Sequence, residues 1–173
     1  YAEKIKLPAA RIMPIPDAMP FDEASAFILT YGTSYYALKD RGVLKAGETV
    51  LILGAAGGVG VAAIELAKAM GARVVGAVSS EDKAKFAREA GADETVIYPA
   101  SGMSKQQSKD LAEAFKKACG GGADVIYDAV GGDYCEPALR AMNWNGRYLV
   151  IGFPAGIPTP PLNLTLLKSS SIV

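Results

Sequence analysis

Apolar and polar positions along this chain alternate between two patterns. Short aliphatic and β-branched runs occur at Thr49–Leu53, Arg73–Val78, 95–98, Ala123–Asp128 and 147–152, with another beginning at Ser171. Their length and near-continuous apolar character are those of buried parallel strands. Between them lie longer stretches with helical spacing. In 57–70 the apolar residues Val59, Ala62, Ala63, Leu66, Ala67 and Met70 share one helical face, and Gly71 marks its end. A helix over 81–90 stops at Gly91. Another over 104–119 opens on the capping-box spacing of Ser104 and Gln107, carries Leu111, Phe115 and Cys119 on one face, and ends at three glycines. A further helix runs to about Met142, regular from near Glu136 because of Pro137. Strand–helix alternation at this spacing predicts an α/β fold, a Rossmann-like doubly wound parallel sheet in a three-layer αβα arrangement.

The ends read differently. Residues 1–20 carry four prolines and no sustained period, so an extended lead-in with a short strand around 11–15 is expected. Residues 22–41 read as a helix broken near Gly32. Asn143-Trp144-Asn145-Gly146 reads as a turn in which Trp144 packs. The chain starts at Tyr1 and stops at Val173 inside a β-like run, so both ends are expected to be cut from a longer protein.

Composition narrows the chemistry. Of 173 residues half are hydrophobic, and 18 basic side chains balance 18 acidic ones. That balance argues against a nucleic-acid or anionic-membrane surface, and the lysines at 105, 109, 116 and 117 are interleaved with Gln, Asp and Glu as on a solvated helix face. The longest apolar run, 50–64, is interrupted by four glycines and is too short for a membrane span. The chain has no histidine and only Cys119 and Cys135, so no metal site is expected. Cys119 reads as core, and Cys135, without a histidine partner, as a weak nucleophile. A cytoplasmic setting is expected from the low cysteine count.

The most informative segment is Gly54-Ala55-Ala56-Gly57-Gly58-Val59-Gly60, between a buried strand and a helix. That is where a dinucleotide fingerprint belongs. Without Cβ atoms at Gly57 and Gly58 a pyrophosphate can reach the backbone, and the N–H groups of the helix start face it. Gly60 allows close helix–strand packing. In this register the first fingerprint glycine is Ala55, and Gly54 takes the tight turn instead. At the end of the second strand, where an acid would accept the ribose hydroxyls in an NAD site, stands Val78. Ser79, Ser80 and Lys83 follow, two hydroxyls and an ammonium that suit a 2′-phosphate, so NADP(H) is favoured and NAD(H) is the alternative. Ser80 also fits a simple helix N-cap, with Glu81 and Asp82 complementing the dipole.

Six segments together resemble the cofactor domain of the medium-chain dehydrogenase/reductase superfamily, in its zinc-independent quinone oxidoreductase branch. They are Thr30-Tyr-Gly-Thr-Ser-Tyr-Tyr-Ala-Leu38, Leu44-Lys-Ala-Gly-Glu-Thr-Val-Leu51, the glycine loop, Gly91-Ala-Asp93, Asp124-Val-Ile-Tyr-Asp-Ala-Val-Gly-Gly132 and Gly146-Arg-Tyr-Leu-Val-Ile-Gly-Phe153. The resemblance implies that Thr33, at the start of the helix before the loop, lies near nicotinamide and pyrophosphate. It implies that Gly57, Gly58 and Val59 cradle the pyrophosphate, and that Ser79 and Lys83 meet the 2′-phosphate. Val130, Gly152 and Phe153 would line the nicotinamide side. In the family an Asn-Tyr pair ends the third strand and its Tyr reaches the adenosine phosphate; here the run is Ile97-Tyr98-Pro99, out of that register by one residue, and Tyr98 is the counterpart the resemblance offers. Leu29 stands where zinc-dependent relatives have a cysteine ligand. The implied function is hydride transfer from NADPH to a quinone or an activated C=C bond. An enoyl-thioester reductase and a non-catalytic NADP(H)-binding sensor are the alternatives. Residues 1–20 would be the trailing edge of an upstream GroES-like domain that carries the catalytic residues, and 21–173 a dinucleotide-binding domain shortened at its C-terminal end. A homodimer would form through the sheet edge at Ser171 to Val173.

Overall fold

The computed structural model describes residues 2–100 and 102–173. The elements run α1 (Phe21–Tyr35), β1 (Thr49–Leu53), α2 (Gly58–Ala69), β2 (Arg73–Val78), α3 (Glu81–Glu89), β3 (Glu94–Ile97), α4 (Lys105–Ala118), β4 (Ala123–Asp128), α5 (Cys135–Arg140), β5 (Met142–Val150), α6 (Asn163–Lys168) and β6 (Ser171–Ile172). The strands form one sheet in the order β3-β2-β1-β4-β5-β6, and every pairing is parallel. The chain therefore reverses its winding between β1 and β4, which opens a crevice at the carboxyl ends of those strands.

Alternation along the strands divides the core in two. Val50, Ile52, Val74 and Tyr127 face the layer that includes Ala63, Ile64, Ala67 and Ala84. Leu51, Leu53, Val75 and Tyr148 face Leu111, Phe115, Ala138 and Leu139 on the other side. This is the expected three-layer arrangement, with both faces of a parallel sheet covered by helices. The capping box of α4 forms as read: Gln107 N–H donates to Ser104 Oγ (3.2 Å), and Ser104 N–H donates to Gln107 Oε1 (2.9 Å).

Four expectations require correction. The lead-in forms no strand around 11–15; its regular piece is a 3-10 turn at Ala9–Arg11, for with prolines at 8, 14 and 16 a ladder would lack donors. Tyr1, also part of that lead-in, lies outside the described residues. Helix α1 is not broken at Gly32 but runs through it and continues into a π-helical turn, Tyr36–Arg41. Packing supplies the reason: Ser34, fully buried, lies within hydrogen-bond distance of Val59 O (3.0 Å) and Tyr127 Oη (2.8 Å), so α1 is anchored two residues beyond the glycine. β5 begins at Met142 rather than Arg147 and ends at Val150. Pairing jumps from Ala123↔Met142 to Val125↔Arg147, so 143–146 bulge out of register, with Asn145 at φ 59°. Trp144, on that bulge, is 68% exposed rather than packed. Helix α6 carries no strong sequence signal: prolines 158, 160 and 161 precede it and only Leu164 on it is buried. Lys168 Nζ donates to Arg140 O (2.8 Å) and fastens its end to the end of α5.

Two glycines test this geometry in opposite directions. A Cβ on Gly32 would meet nothing within 4 Å, so Gly32→Ala should stabilise the chain by about 0.5–1 kcal/mol through helix propensity. A Cβ on Gly60 would lie 2.2 Å from Gly54 O and 2.8 Å from Ala55 Cα, both backbone, so Gly60→Ala should destabilise it by about 1–3 kcal/mol or more. Urea midpoints of the two variants against the parent check both signs.

Candidate dinucleotide site

The loops after β1, β2, β4 and β5 meet over the crevice. Gly54, at φ 72°, makes the tight turn out of β1, and Gly57 N–H donates back to Gly54 O at 2.9 Å. The first bond of α2 is Val61 N–H to Gly57 O (2.8 Å), so the earlier N–H groups face out of the helix end. Substituting Cβ atoms shows how close the packing is. One on Gly57 would sit 3.3 Å from Gly54 O, and one on Gly58 would sit 3.3 Å from Thr30 Cγ2. Ala55, in the place of the first fingerprint glycine, points inward, where its Cβ would be 3.1 Å from one on Gly76.

An open cleft of about 280 Å³ lies over this loop. It extends from Val78, Ser79 and Lys83 after β2, past Gly57 and Val59, to Ala129 and Val130 after β4 and Pro154 after β5. At its β2 end Lys83 Nζ donates to Ser79 Oγ at 2.9 Å, so an ammonium and a hydroxyl converge at the cleft surface. Ser80 turns away from them and caps α3, accepting from Lys83 N–H at 3.4 Å. Tyr98 forms part of the floor. Its ring stacks at a tilt on Tyr134 with centroids 4.6 Å apart, and burial pushes its phenol up to about 12. Tyr134 in turn donates to Pro99 O.

Six of the residues expected at a cofactor therefore line one cleft: Gly57, Val59, Ser79, Lys83, Tyr98 and Val130. Gly58, Ser80, Gly152 and Phe153 lie on its framing elements without lining it. Thr33 is half-buried near the end of α1, not at the start of a helix; on the same helix Tyr31 donates to Glu65 of α2 and Ser34 to Val59 O. Among the described residues no three His, Cys, Asp or Glu side chains are placed to hold a metal ion, and no helix is long and apolar enough to cross a membrane.

Pro154 and Ala129 line the cleft without having been singled out in sequence, and one residue beneath it also escaped that reading. Asp128, at the end of β4, is 1% exposed. Its Oδ1 accepts the N–H groups of Val130 and Gly131, each at 2.8 Å, and its Oδ2 accepts the hydroxyl of Tyr148. It stands inside the matched segment 124–132, but a strand-end aspartate in sequence does not disclose which donors will converge on it.

Comparison with known proteins agrees with the geometry. The family model described as zinc-binding dehydrogenase matches residues 58–173. The chain belongs to this family. It is thus a member of the medium-chain dehydrogenase/reductase superfamily, represented here by the nucleotide-binding part. It is 38% identical over 174 residues to quinone oxidoreductase-like protein 2 homolog of Nematostella vectensis, covering 99% of this chain and 46% of that protein. The quinone oxidoreductase of Thermus thermophilus, solved also in complex with NADPH, superimposes with a TM-score of 0.81 at 31% identity, over 99% of this chain and 52% of that one. A structure described as an NAD-dependent alcohol dehydrogenase gives 0.84 at 36% identity, over 96% and 47%. The chain spans about half the length of the relatives it matches.

Neither cysteine of this dehydrogenase domain sits where a nucleophile works. Cys135 is 3% exposed and Cys119 5%, and burial raises both thiols, Cys119 to about 12. At pH 8 the native chain should react with a disulfide reagent such as DTNB at a rate set by unfolding, while two thiols per chain titrate promptly in denaturant. Fast stoichiometric labelling of the native chain, lost in Cys135→Ser, would return Cys135 to the list of candidates.

Proposed function

We propose that this chain is the NADP(H)-binding half of a reductase that transfers hydride to a quinone or an activated C=C bond. The observation that carries the cofactor reading is the β2 end of the cleft. Val78 stands at the strand end where a carboxylate would accept ribose hydroxyls, and the Lys83–Ser79 pair stands beside it. A positive, hydrogen-bond-donating corner favours a 2′-phosphate over a diol. The loop fits the rest of a dinucleotide. Gly57 and Gly58 lack the Cβ atoms that would occupy the approach to the backbone, and the start of α2 presents N–H groups to a pyrophosphate. Val130 and Pro154 then offer an apolar wall at the opposite end.

When bound, the reduced dinucleotide supplies the hydride; what this chain supplies is position. Val59 and the α2 terminus would fix the pyrophosphate, Ser79 and Lys83 the adenosine end, with Tyr98 beneath. Val130 and the backbone at Gly152 and Phe153 would orient the ring. Orientation of this kind can account for ~7–11 kcal/mol of a barrier. The relatives' names support quinones as the substrate class. The donor set of this chain does not fit zinc, since there is no histidine and Leu29 offers no ligand. The exposed edge strand β6, whose Ile172 is 39% exposed and which among the described residues pairs with β5 alone, supports a homodimer joined through that edge. A sedimentation mass of one chain at micromolar concentration would contradict this.

Lys83→Ala tests the cofactor assignment. Loss of one charge-assisted hydrogen bond costs ~1.5–3 kcal/mol, so NADPH should bind roughly ten-fold or more weakly while NADH changes little. Calorimetry with the two cofactors decides it. Equal losses, or tighter NADH binding by the parent, would assign the site to NAD(H).

A further inference from the structure

Asp128 makes more contacts with the cleft than a core residue needs. It is a carboxylate at 1% exposure, and every group that bonds it is neutral: two backbone N–H groups and the Tyr148 hydroxyl. A buried carboxylate without a cation is costly and persists only where fixed donors converge on it. The Tyr148 phenol, its pKa raised by burial and then by Asp128, stays protonated and serves as such a donor.

What Asp128 holds is confined to one wall. Its side chain takes Val130 N–H and Gly131 N–H, and its own carbonyl takes Ile151 N–H (2.9 Å) and Gly152 N–H (3.2 Å). One residue thus joins the β4 loop to the β5 loop. The turn it holds is conformationally unusual. Gly131 lies at φ 72° and ψ −149°, a region essentially closed to other residues, and a Cβ there would meet Phe153 Cβ at 2.7 Å and Gly156 O at 2.8 Å. The wall also reaches the glycine loop, because a Cβ on Gly54 would touch Val130 Cγ2 at 3.0 Å. By contrast, Ser79 and Lys83, at the far end of the cleft, bond to each other and to neither of these loops.

We propose that Asp128 is a positioning residue that sets the Val130–Gly152 wall of the cleft and so determines how firmly the end of the dinucleotide remote from Ser79 and Lys83 is held. The inference rests on the nucleotide-binding reading and adds to it a division of labour. The adenosine end is recognised by side chains after β2, and the other end by a wall whose shape is stored in one buried carboxylate.

The test separates the two ends with two ligands, NADPH and adenosine 2′,5′-bisphosphate, which carries only the adenosine part. Titrations use the full 173-residue chain. Asp128→Ala should weaken NADPH roughly ten-fold or more and leave the bisphosphate within about two-fold. Asp128→Asn should recover NADPH affinity to within a few-fold, since its amide oxygen can accept Val130 and Gly131 N–H while its NH₂ donates to Tyr148 Oη. Gly131→Ala displaces the same wall without touching the carboxylate and should reproduce the split between ligands, which keeps the test decisive if Asp128→Ala does not fold. Equal weakening of both ligands in these variants, or NADPH binding like the parent's in Gly131→Ala or a folded Asp128→Ala, would overturn the proposal while leaving the cofactor reading intact. A parent chain that binds neither ligand would overturn the cofactor reading itself, and the proposal with it.

Discussion

The approach of α2 to β1 at Gly60 is the constraint on which the rest of the cleft depends. A Cβ at that position would lie 2.2 Å from Gly54 O, a separation no repacking of side chains can relieve because the obstacle is backbone. With Gly60 in place, the helix starts directly over the end of β1, and its N–H groups arrive at the crevice between β1 and β4. Everything that converges there takes its position from this crossing. Ala55 is turned into the core against Gly76, Gly57 closes on Gly54, and Val59 O is brought to Ser34 at 3.0 Å, which fixes the end of α1.

The parts of this arrangement legible in sequence are those where one local pattern decides the outcome. β1, β2 and β4 match their expected bounds residue for residue, because strands buried on both faces read as largely apolar runs, and Gly54 and Ser79 close the first two. The glycine loop was legible for the same reason. Where a tertiary contact overrules a local preference, the sequence misleads. Gly32 reads as a breaker, yet the bonds of Ser34 two residues later keep α1 continuous. Asn143 to Gly146 reads as a turn. In the fold it is a bulge within a strand, stabilised where Asn143 Nδ2 donates to Asp124 Oδ1 at 2.8 Å and to Gly122 O at 3.2 Å.

The candidate site shows the same division. Ser79 and Lys83 are four residues apart, and the lysine in the first turn of α3 reaches back past the N-cap Ser80 to Ser79 (2.9 Å), so their pairing is local to the β2–α3 junction. Val130 and Pro154 come from loops after different strands, and only the sheet order β1-β4-β5 makes them neighbours. Thr33 illustrates the converse. It lies half-buried on α1, and the next residue, Ser34, which points to a different face of the helix, reaches Val59 O of α2 at 3.0 Å.

The last two residues of β4 draw these elements together, because adjacent strand residues point to opposite faces of the sheet. Tyr127 faces the α1–α2 layer and reaches Ser34 at 2.8 Å. Ser34 Oγ lies within hydrogen-bond distance of two carbonyl acceptors, Thr30 O and Val59 O, and when its single proton goes to one of them Tyr127 donates to it. Burial, which raises the Tyr127 phenol, keeps that proton in place. The chain Tyr127–Ser34–Val59 thereby ties β4 to the start of α2 on one side of the cleft. Asp128, one residue on, ties β4 to Val130, Gly131 and Tyr148 on the other. Both walls of the cleft are thus referenced to a single strand end at the point where the sheet reverses its winding.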